Sequence, residues 1–207
     1  MLVTIPGVIT AEQASSLRAA VASGPTDTSG AIASIVAALR GSPVFQGAAL
    51  PAAMSTPTFH RYAIGEGERE HGDDAVIGQG RRLRPDIVGT LCLSDASSYD
   101  GGEMVIDYLG MIETWKGRAG DCLLYPADAR QQALPVTRGE RLAATFYVQS
   151  LVRDASNRKI LCDFAEVLAQ FRETGQEGPH TDLLRRAYTN LLRQWAEAAP
   201  MSTSAAG

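Results

Sequence analysis

Residues 103–115 read Glu-Met-Val-Ile-Asp-Tyr-Leu-Gly-Met-Ile-Glu-Thr-Trp. Two runs rich in β-branched and aromatic residues, Glu103–Tyr108 and Met111–Trp115, flank Leu109-Gly110. Such runs suit a pleated, half-buried surface, and a two-residue link containing glycine closes an antiparallel hairpin. The same texture recurs on both sides. Phe59–Ile64 and Asp86–Leu93 precede the hairpin, and Asp121–Tyr125 and Leu142–Leu151 follow it. Turn residues separate them. Short strands at this spacing predict an all-β sandwich or barrel rather than alternating β-α units.

Helical periodicity flanks this core. Thr10 and Gln13 make a capping box, in which each side chain satisfies an orphan backbone donor. Ala14, Leu17 and Val21 then share a face, so the first segment reads as helix. A second helix carries Ile32, Ile35, Val36 and Leu39, with Gly41 suited to its C-terminal cap and Pro43 to stop it. After Arg153 two apolar stripes appear, Ile160–Phe164–Val167–Leu168–Phe171 and Leu184–Tyr188–Leu191–Trp195, broken at Gly175–Pro179. Both read as packing faces. The expected organisation is a β domain with N-terminal helices over 1–153, a helical segment packed on it over 154–197, and a flexible tail over 198–207.

Composition narrows the function. The 207 residues are 45% hydrophobic with a net charge of -4, which disfavours a binder of nucleic acid driven by phosphate contacts. No apolar run reaches the roughly 18 residues that span a bilayer, and Met1–Gly7 lacks signal-peptide character. Cys92, Cys122 and Cys162 lack metal-motif spacing and read as buried thiols of a reducing cytoplasm. A P-loop, a Rossmann fingerprint and a nucleophile elbow are all missing from the sequence. The apolar C-terminal helices suit internal packing or a second subunit, which leaves a homodimer open.

Only three histidines are present, His60, His71 and His180, so most metal or acid–base chemistry has to route through them. His71-Gly72-Asp73 is an H-x-D triplet. In extended chain, residues two apart face the same side, so an imidazole and a carboxylate can meet one metal ion. A third ligand from elsewhere would complete one face of an octahedron, as in non-haem Fe(II) oxygenases. His180-Thr181-Asp182 repeats the pattern where a helix starts, and there Thr181 or Asp182 reads as a cap or first-turn acid. Arg81, Arg82 and Arg84 form a basic cluster, read as a solvated loop or as a contact for an anionic substrate. Asp100-Gly101-Gly102-Glu103 reads as a turn into a strand.

The chain resembles the bacterial PKHD-type hydroxylases, a branch of the prolyl-4-hydroxylase-like Fe(II)/2-oxoglutarate dioxygenases. The resemblance runs through Arg61-Tyr62, His71-Gly72-Asp73-Asp74-Ala75 and Thr90-Leu91-Cys92-Leu93-Ser94-Asp95. It continues through Tyr99-Asp100-Gly101-Gly102-Glu103, Leu124-Tyr125-Pro126-Ala127 and Pro135-Val136-Thr137-Arg138-Gly139. It ends in Gln149-Ser150-Leu151-Val152-Arg153-Asp154 and Asn190-Leu191-Leu192-Arg193-Gln194-Trp195. It implies a mostly β fold with flanking helices, a double-stranded β-helix or jelly-roll core. It implies Fe(II) as cofactor and 2-oxoglutarate as co-substrate, with ascorbate as an optional reductant. His71 and Asp73 match the first two iron ligands, and Arg141 matches the arginine that grips the far carboxylate of 2-oxoglutarate. Tyr62 matches the co-substrate pocket; packed aromatic with a tethered hydroxyl is its other reading.

Two features depart from the family. Its third ligand, a histidine, falls by gap-free counting on Gln131, and no histidine occurs between Asp74 and Pro179. An amide oxygen is neutral like imidazole but a harder donor. Gln131, water, or His60 from a nearby strand are the candidates for the third position. The segment Gly24–Ser29 also leads quickly into the second helix, which shortens the wall of the substrate cleft. Two functions follow: an oxygenase acting on a C–H bond of a small amino-acid-like or peptidyl substrate, or a degenerate scaffold that binds a small molecule.

Overall fold

The computed structural model describes residues 2–22, 28–80 and 82–197. The tail 198–207, Arg81 and most of Gly24–Ser29 lie outside them. Twelve strands and five α-helices follow in chain order among the described residues. β1 is Val3–Ile5, α1 Ala11–Ala22, α2 Thr28–Gly41 and α3 Pro43–Ala49. β2 (Pro51–Met54), β3 (Thr58–Tyr62) and β4 (Glu68–His71) lead to β5 (Ile87–Cys92). A 3-10 turn at Ala96–Ser98 precedes β6 (Asp100–Gly101), β7 (Met104–Tyr108), β8 (Met111–Trp115), β9 (Cys122–Pro126), β10 (Arg130–Ala133), β11 (Val136–Arg138) and β12 (Arg141–Ser150). α4 (Ala155–Glu173) and α5 (Pro179–Trp195) close the chain.

The strands form a major sheet in the order β1-β9-β5-β12-β2, with β3 also paired to β12. A second sheet runs β4-β10-β7-β8, and β11 pairs with β6. All these pairings are antiparallel. This is the mostly β, jelly-roll arrangement expected, with helices outside it. The Leu109-Gly110 hairpin is present: both residues have positive φ (55° and 83°), and the Asp107 carboxylate accepts the Gly110 N–H at 3.0 Å. The backbone twist of that turn matches the twist of the strands it joins.

Alternation along the major sheet divides the apolar residues between two layers. Ile87, Leu91, Leu124, Leu142, Ala144 and Phe146 face outward and pack with Leu17, Ile35, Leu39 and Phe45 of the helices. Val88, Leu123 and Tyr125 face inward and pack with Met104, Ile106 and Ala133 of the second sheet. The inner face of β12 presents Arg141, Ala143, Thr145 and Tyr147 to the cleft between the sheets. α4 packs on α3, and α5 on α4. A small apolar cluster of Leu50, Val152 and Leu161 receives Tyr188, Leu191, Leu192 and Trp195 of α5.

Several local expectations are corrected. The first element is a strand, because the three residues of β1 form the sheet edge by backbone pairing with β9, which leaves no periodic signal. Pro43 does more than stop α2: it opens α3 at the first helical position, with Ser42 capping the Phe45 N–H at 3.2 Å. No side chain caps α5, and Asp182 is the expected acidic residue of its first turn. Thr181 donates instead to the Gln176 carbonyl, and Asp182 pairs with Arg185. Cys92 and Cys122 are buried, whereas Cys162 is half-buried, and all three are free. Among the described residues no helix is long and apolar enough to cross a membrane.

Candidate active site

β4 and β10 lie side by side with Gln131 directly opposite His71. Ala133 lies opposite Glu68, so β4 spends three steps where β10 spends two. That bulge turns Glu68 and His71 to the same cleft, where strict alternation would separate them. His71 Nδ1 lies 2.9 Å from the Arg69 carbonyl. A carbonyl only accepts, so Nδ1 carries the proton and Nε2 keeps its lone pair toward the cleft. The chain leaves β4 at Gly72, and Asp73 comes back to the same point. Its Oδ1 accepts the Tyr147 hydroxyl at 2.7 Å, and its Oδ2 accepts the Gln131 amide at 2.9 Å. Burial pushes the Asp73 carboxyl above the usual carboxylate range, opposed by the Tyr147 bond and His71.

Gln131 is only 5% exposed. Its amide nitrogen lies 2.9 Å from Asp73 Oδ2 and 3.4 Å from His71 Nε2. Its oxygen accepts from the hydroxyl of the fully buried Tyr125. Gln132 points to the opposite side of β10, as its strand position requires. Among the described residues no three His, Cys, Asp or Glu side chains converge on one point. His71 and Asp73 are therefore joined by an amide rather than by a third imidazole, carboxylate or thiol.

Arg141 opens β12 opposite Tyr62 and is 3% exposed. Its guanidinium carbon sits 5.2 Å from the Tyr62 ring centroid, and the Tyr62 and Tyr99 hydroxyls are within its reach. Among the described residues no carboxylate pairs with it. Gly102, at φ +66°, makes room for it, since a Cβ there would fall 3.1 Å from Arg141 Cδ and 3.0 Å from Tyr99 Cε2. The Tyr62 hydroxyl donates to Glu68 Oε2 at 2.9 Å. Burial, then the Glu68 charge, push Tyr62 up to about 12, so it stays a hydroxyl at neutral pH. Tyr62 thus carries a tethered hydroxyl on a ring that lines the cleft. His60 stacks on Tyr62 at 6.4 Å between centroids, and burial lowers its pKa. It lines the cleft, and among the described residues no hydrogen bond or ion pair joins it to His71 or Asp73.

The structure thus gathers His60, Tyr62, His71, Asp73, Gln131 and Arg141 around one cleft. His180 lies apart, exposed in the first turn of α5. Arg84 does not face the cleft: it binds Asp86 and Glu197 and reaches the Ser150 carbonyl, while Arg82 is exposed. Glu68, Tyr99, Tyr125 and Tyr147 escaped the sequence reading as site residues. Tyr147 was legible in principle, since it lies six residues beyond Arg141 on one strand and so on the same face. Glu68 depends on the bulge, and Tyr125 on the pairing of β9 with β5, neither of which has a local signal.

No family model matches the chain. Curated relatives do. A PKHD-type hydroxylase of Rhizorhabdus wittichii is 44% identical over 169 residues, covering 79% of this chain and 74% of the relative. One of Caulobacter vibrioides is 41% identical over 167 residues, with the same coverage. One of Burkholderia ambifaria is 37% identical over 226 residues, covering 95% of this chain and all of the relative. Among solved structures, a viral collagen prolyl hydroxylase of Paramecium Bursaria Chlorella virus-1 superposes with a TM-score of 0.55 at 16% identity, covering 72% of this chain and 95% of that one. HygX of Streptomyces hygroscopicus, solved with iron bound, gives 0.55 at 16% identity over 73% of this chain and 83% of that one. The structural likeness supports the shared fold, the sequence likeness extends over most of the chain, and together they establish that this chain belongs to the PKHD-type hydroxylases.

Proposed function

We propose that the chain is an Fe(II)- and 2-oxoglutarate-dependent oxygenase acting on a C–H bond of a small amino-acid-like or peptidyl substrate. The observation that carries this reading is Arg141, a buried guanidinium with no carboxylate partner among the described residues, set in the same cleft as His71 and Asp73. A buried cation of this kind calls for an anion, and its planar fork matches a carboxylate in two places. The donor set also fits a divalent metal. His71 offers a lone pair at Nε2 and Asp73 an inward oxygen, both aimed at one point. Gln131 stands at the third position. Iron and 2-oxoglutarate, when bound, supply the oxygen-activating chemistry.

The chain's own residues do the rest. Arg141, with Tyr62 and Tyr99 beside it, holds the distal carboxylate of the co-substrate. The Arg69 carbonyl fixes the His71 tautomer, and Tyr147 fixes one oxygen of Asp73, so both ligands are oriented before metal arrives. The apolar walls from Met104 and Ala143 keep water from the oxidising step. Succinate release in air, with Fe(II) and 2-oxoglutarate supplied, tests the reading. It is expected to depend on His71 and Arg141. Absence of both turnover and iron retention refutes it.

One observation favours the alternative of a retired scaffold that binds a small diacid: the Gln131 amide already fills the space between His71 and Asp73. Tight 2-oxoglutarate binding through Arg141, indifferent to Fe(II), is its signature.

A further inference from the structure

Gln131 holds an arrangement that a metal ion cannot share. Its amide nitrogen, which carries hydrogens, points at Asp73 Oδ2 and His71 Nε2. Its oxygen, the atom able to ligate, points away to the Tyr125 hydroxyl. A cation between His71 and Asp73 would face N–H groups. Behind Gln131 lies a second clue. Tyr125 pairs with Val88 across β9 and β5, and Thr90 stands two residues along β5 on the same inner face. Thr90 is 1% exposed. Its hydroxyl approaches the Tyr125 phenol closely enough to act on it as a hydrogen-bonding neighbour, yet no hydrogen bond of ordinary geometry forms, and among the described residues it is the buried side-chain polar atom without such a bond. Burial without a partner is costly, and such a group calls for an explanation.

We propose that Gln131, Tyr125 and Thr90 form a reversible hydrogen-bond relay that turns Gln131 from a plug in the metal site into its third ligand. The proposal rests on the metal site argued above. Without metal, Tyr125 donates to Gln131 Oε1, and the Gln131 amide donates to Asp73. With metal, the terminal amide turns through half a rotation. Oε1 then faces the ion, Nε2–H donates to the Tyr125 oxygen, and the Tyr125 proton turns to Thr90 Oγ1. No bond breaks and no proton changes owner. Only soft side-chain torsions rotate, and the Tyr125 hydroxyl and one Gln131 N–H each keep an acceptor throughout. Thr90 lacks a partner in the metal-free state because its partner arrives with the metal. Thr90 and Tyr125 are positioning residues, since they act on the metal only through Gln131.

The Thr90→Val variant separates this relay from a merely structural threonine. It removes the acceptor that the metal-bound state needs and takes nothing bonded from the metal-free state. Calorimetric titration of the metal-free protein with Co(II) is expected to show about tenfold weaker binding, one buried hydrogen bond's worth, with an unchanged or higher melting temperature before metal is added. Thr90→Ser is expected to restore the wild-type affinity. In the wild type, the Gln131 side-chain NH2 resonances, assigned by their loss in Gln131→Glu, are expected to shift on adding Zn(II) as they exchange a carboxylate acceptor for a phenol. Equal Co(II) affinity in wild type and Thr90→Val, or unmoved NH2 resonances on saturation with Zn(II), overturns the relay and leaves the metal site standing. A fall in the metal-free melting temperature of Thr90→Val also overturns it, by showing the threonine already bonded. Wild-type protein without Co(II) binding that His71→Ala abolishes overturns relay and metal site together.

Discussion

Replacing Arg141 by methionine sets stability against binding. Arg141 is 3% exposed and lacks a carboxylate partner among the described residues. Its compensation comes from the Tyr62 ring at 5.2 Å and the reach of two tyrosine hydroxyls. Cation–π contact and hydrogen bonding to a charge together supply about 2–4 kcal/mol. Burying the guanidinium costs several kcal/mol even after relaxation. Methionine keeps most of the volume, adapts to irregular space and carries no charge. The metal-free Arg141→Met protein is therefore expected to be about 1–2 kcal/mol more stable, a rise in melting temperature of about 2–8 °C for a chain of this size. Ligand reverses the order. At 2-oxoglutarate a hundredfold above its dissociation constant, the wild type gains about 2.7 kcal/mol, while the variant gains nothing. Thermal melts of both proteins, with and without 2-oxoglutarate, give all four values. A variant that melts below the wild type without ligand would show Arg141 to be fully compensated by the protein alone. A variant that 2-oxoglutarate still stabilises would remove Arg141 from the binding site.

Other perturbations test separate links. Gln131→His places an imidazole directly across from His71 and is expected to raise Fe(II) affinity about tenfold or more in anaerobic titration; unchanged affinity would mean that residue 131 does not approach the metal. Gly89→Ala puts a methyl 2.2 Å from the Phe146 ring in the middle of the major sheet, so a loss of about 1–3 kcal/mol in denaturant melts is expected, and a neutral effect would show that the ring can swing aside. Burial lowers the pKa of His60, so the unfolded chain takes up its proton first as pH falls. Stability is then expected to decline as pH drops through 6.5 toward the lowered folded value, and His60→Phe to flatten that part of the profile relative to wild type.

The strands of the core were legible because each carries its own pattern. Met111–Trp115 was read with its observed boundaries, and Ile87–Cys92 and Arg141–Ser150 within one residue at each end. Their enrichment in β-branched, aromatic and other apolar residues between turn residues is a local property of the chain. β1, β2, β4, β10 and β11 are three or four residues long and are held chiefly by pairing with neighbours remote in the chain, so no local signal announced them. α3 was hidden because a proline that ends one helix can begin the next.

The site divides in the same way. The sequence alone determined which chemical groups were available: one imidazole and one carboxylate two residues apart, a late arginine, and glutamine rather than histidine at the matching third position. Only the tertiary structure decided how they meet. The register of β10 against β4 sets Gln131 opposite His71, and the bulge between Glu68 and His71 brings a second carboxylate into the cleft. The pairing of β9 with β5 puts Tyr125 and Thr90 behind the amide. Residue type is a local property of the chain, whereas register and hydrogen-bond direction arise from contacts between segments tens of residues apart. Such contacts exist only once the two sheets close over the cleft.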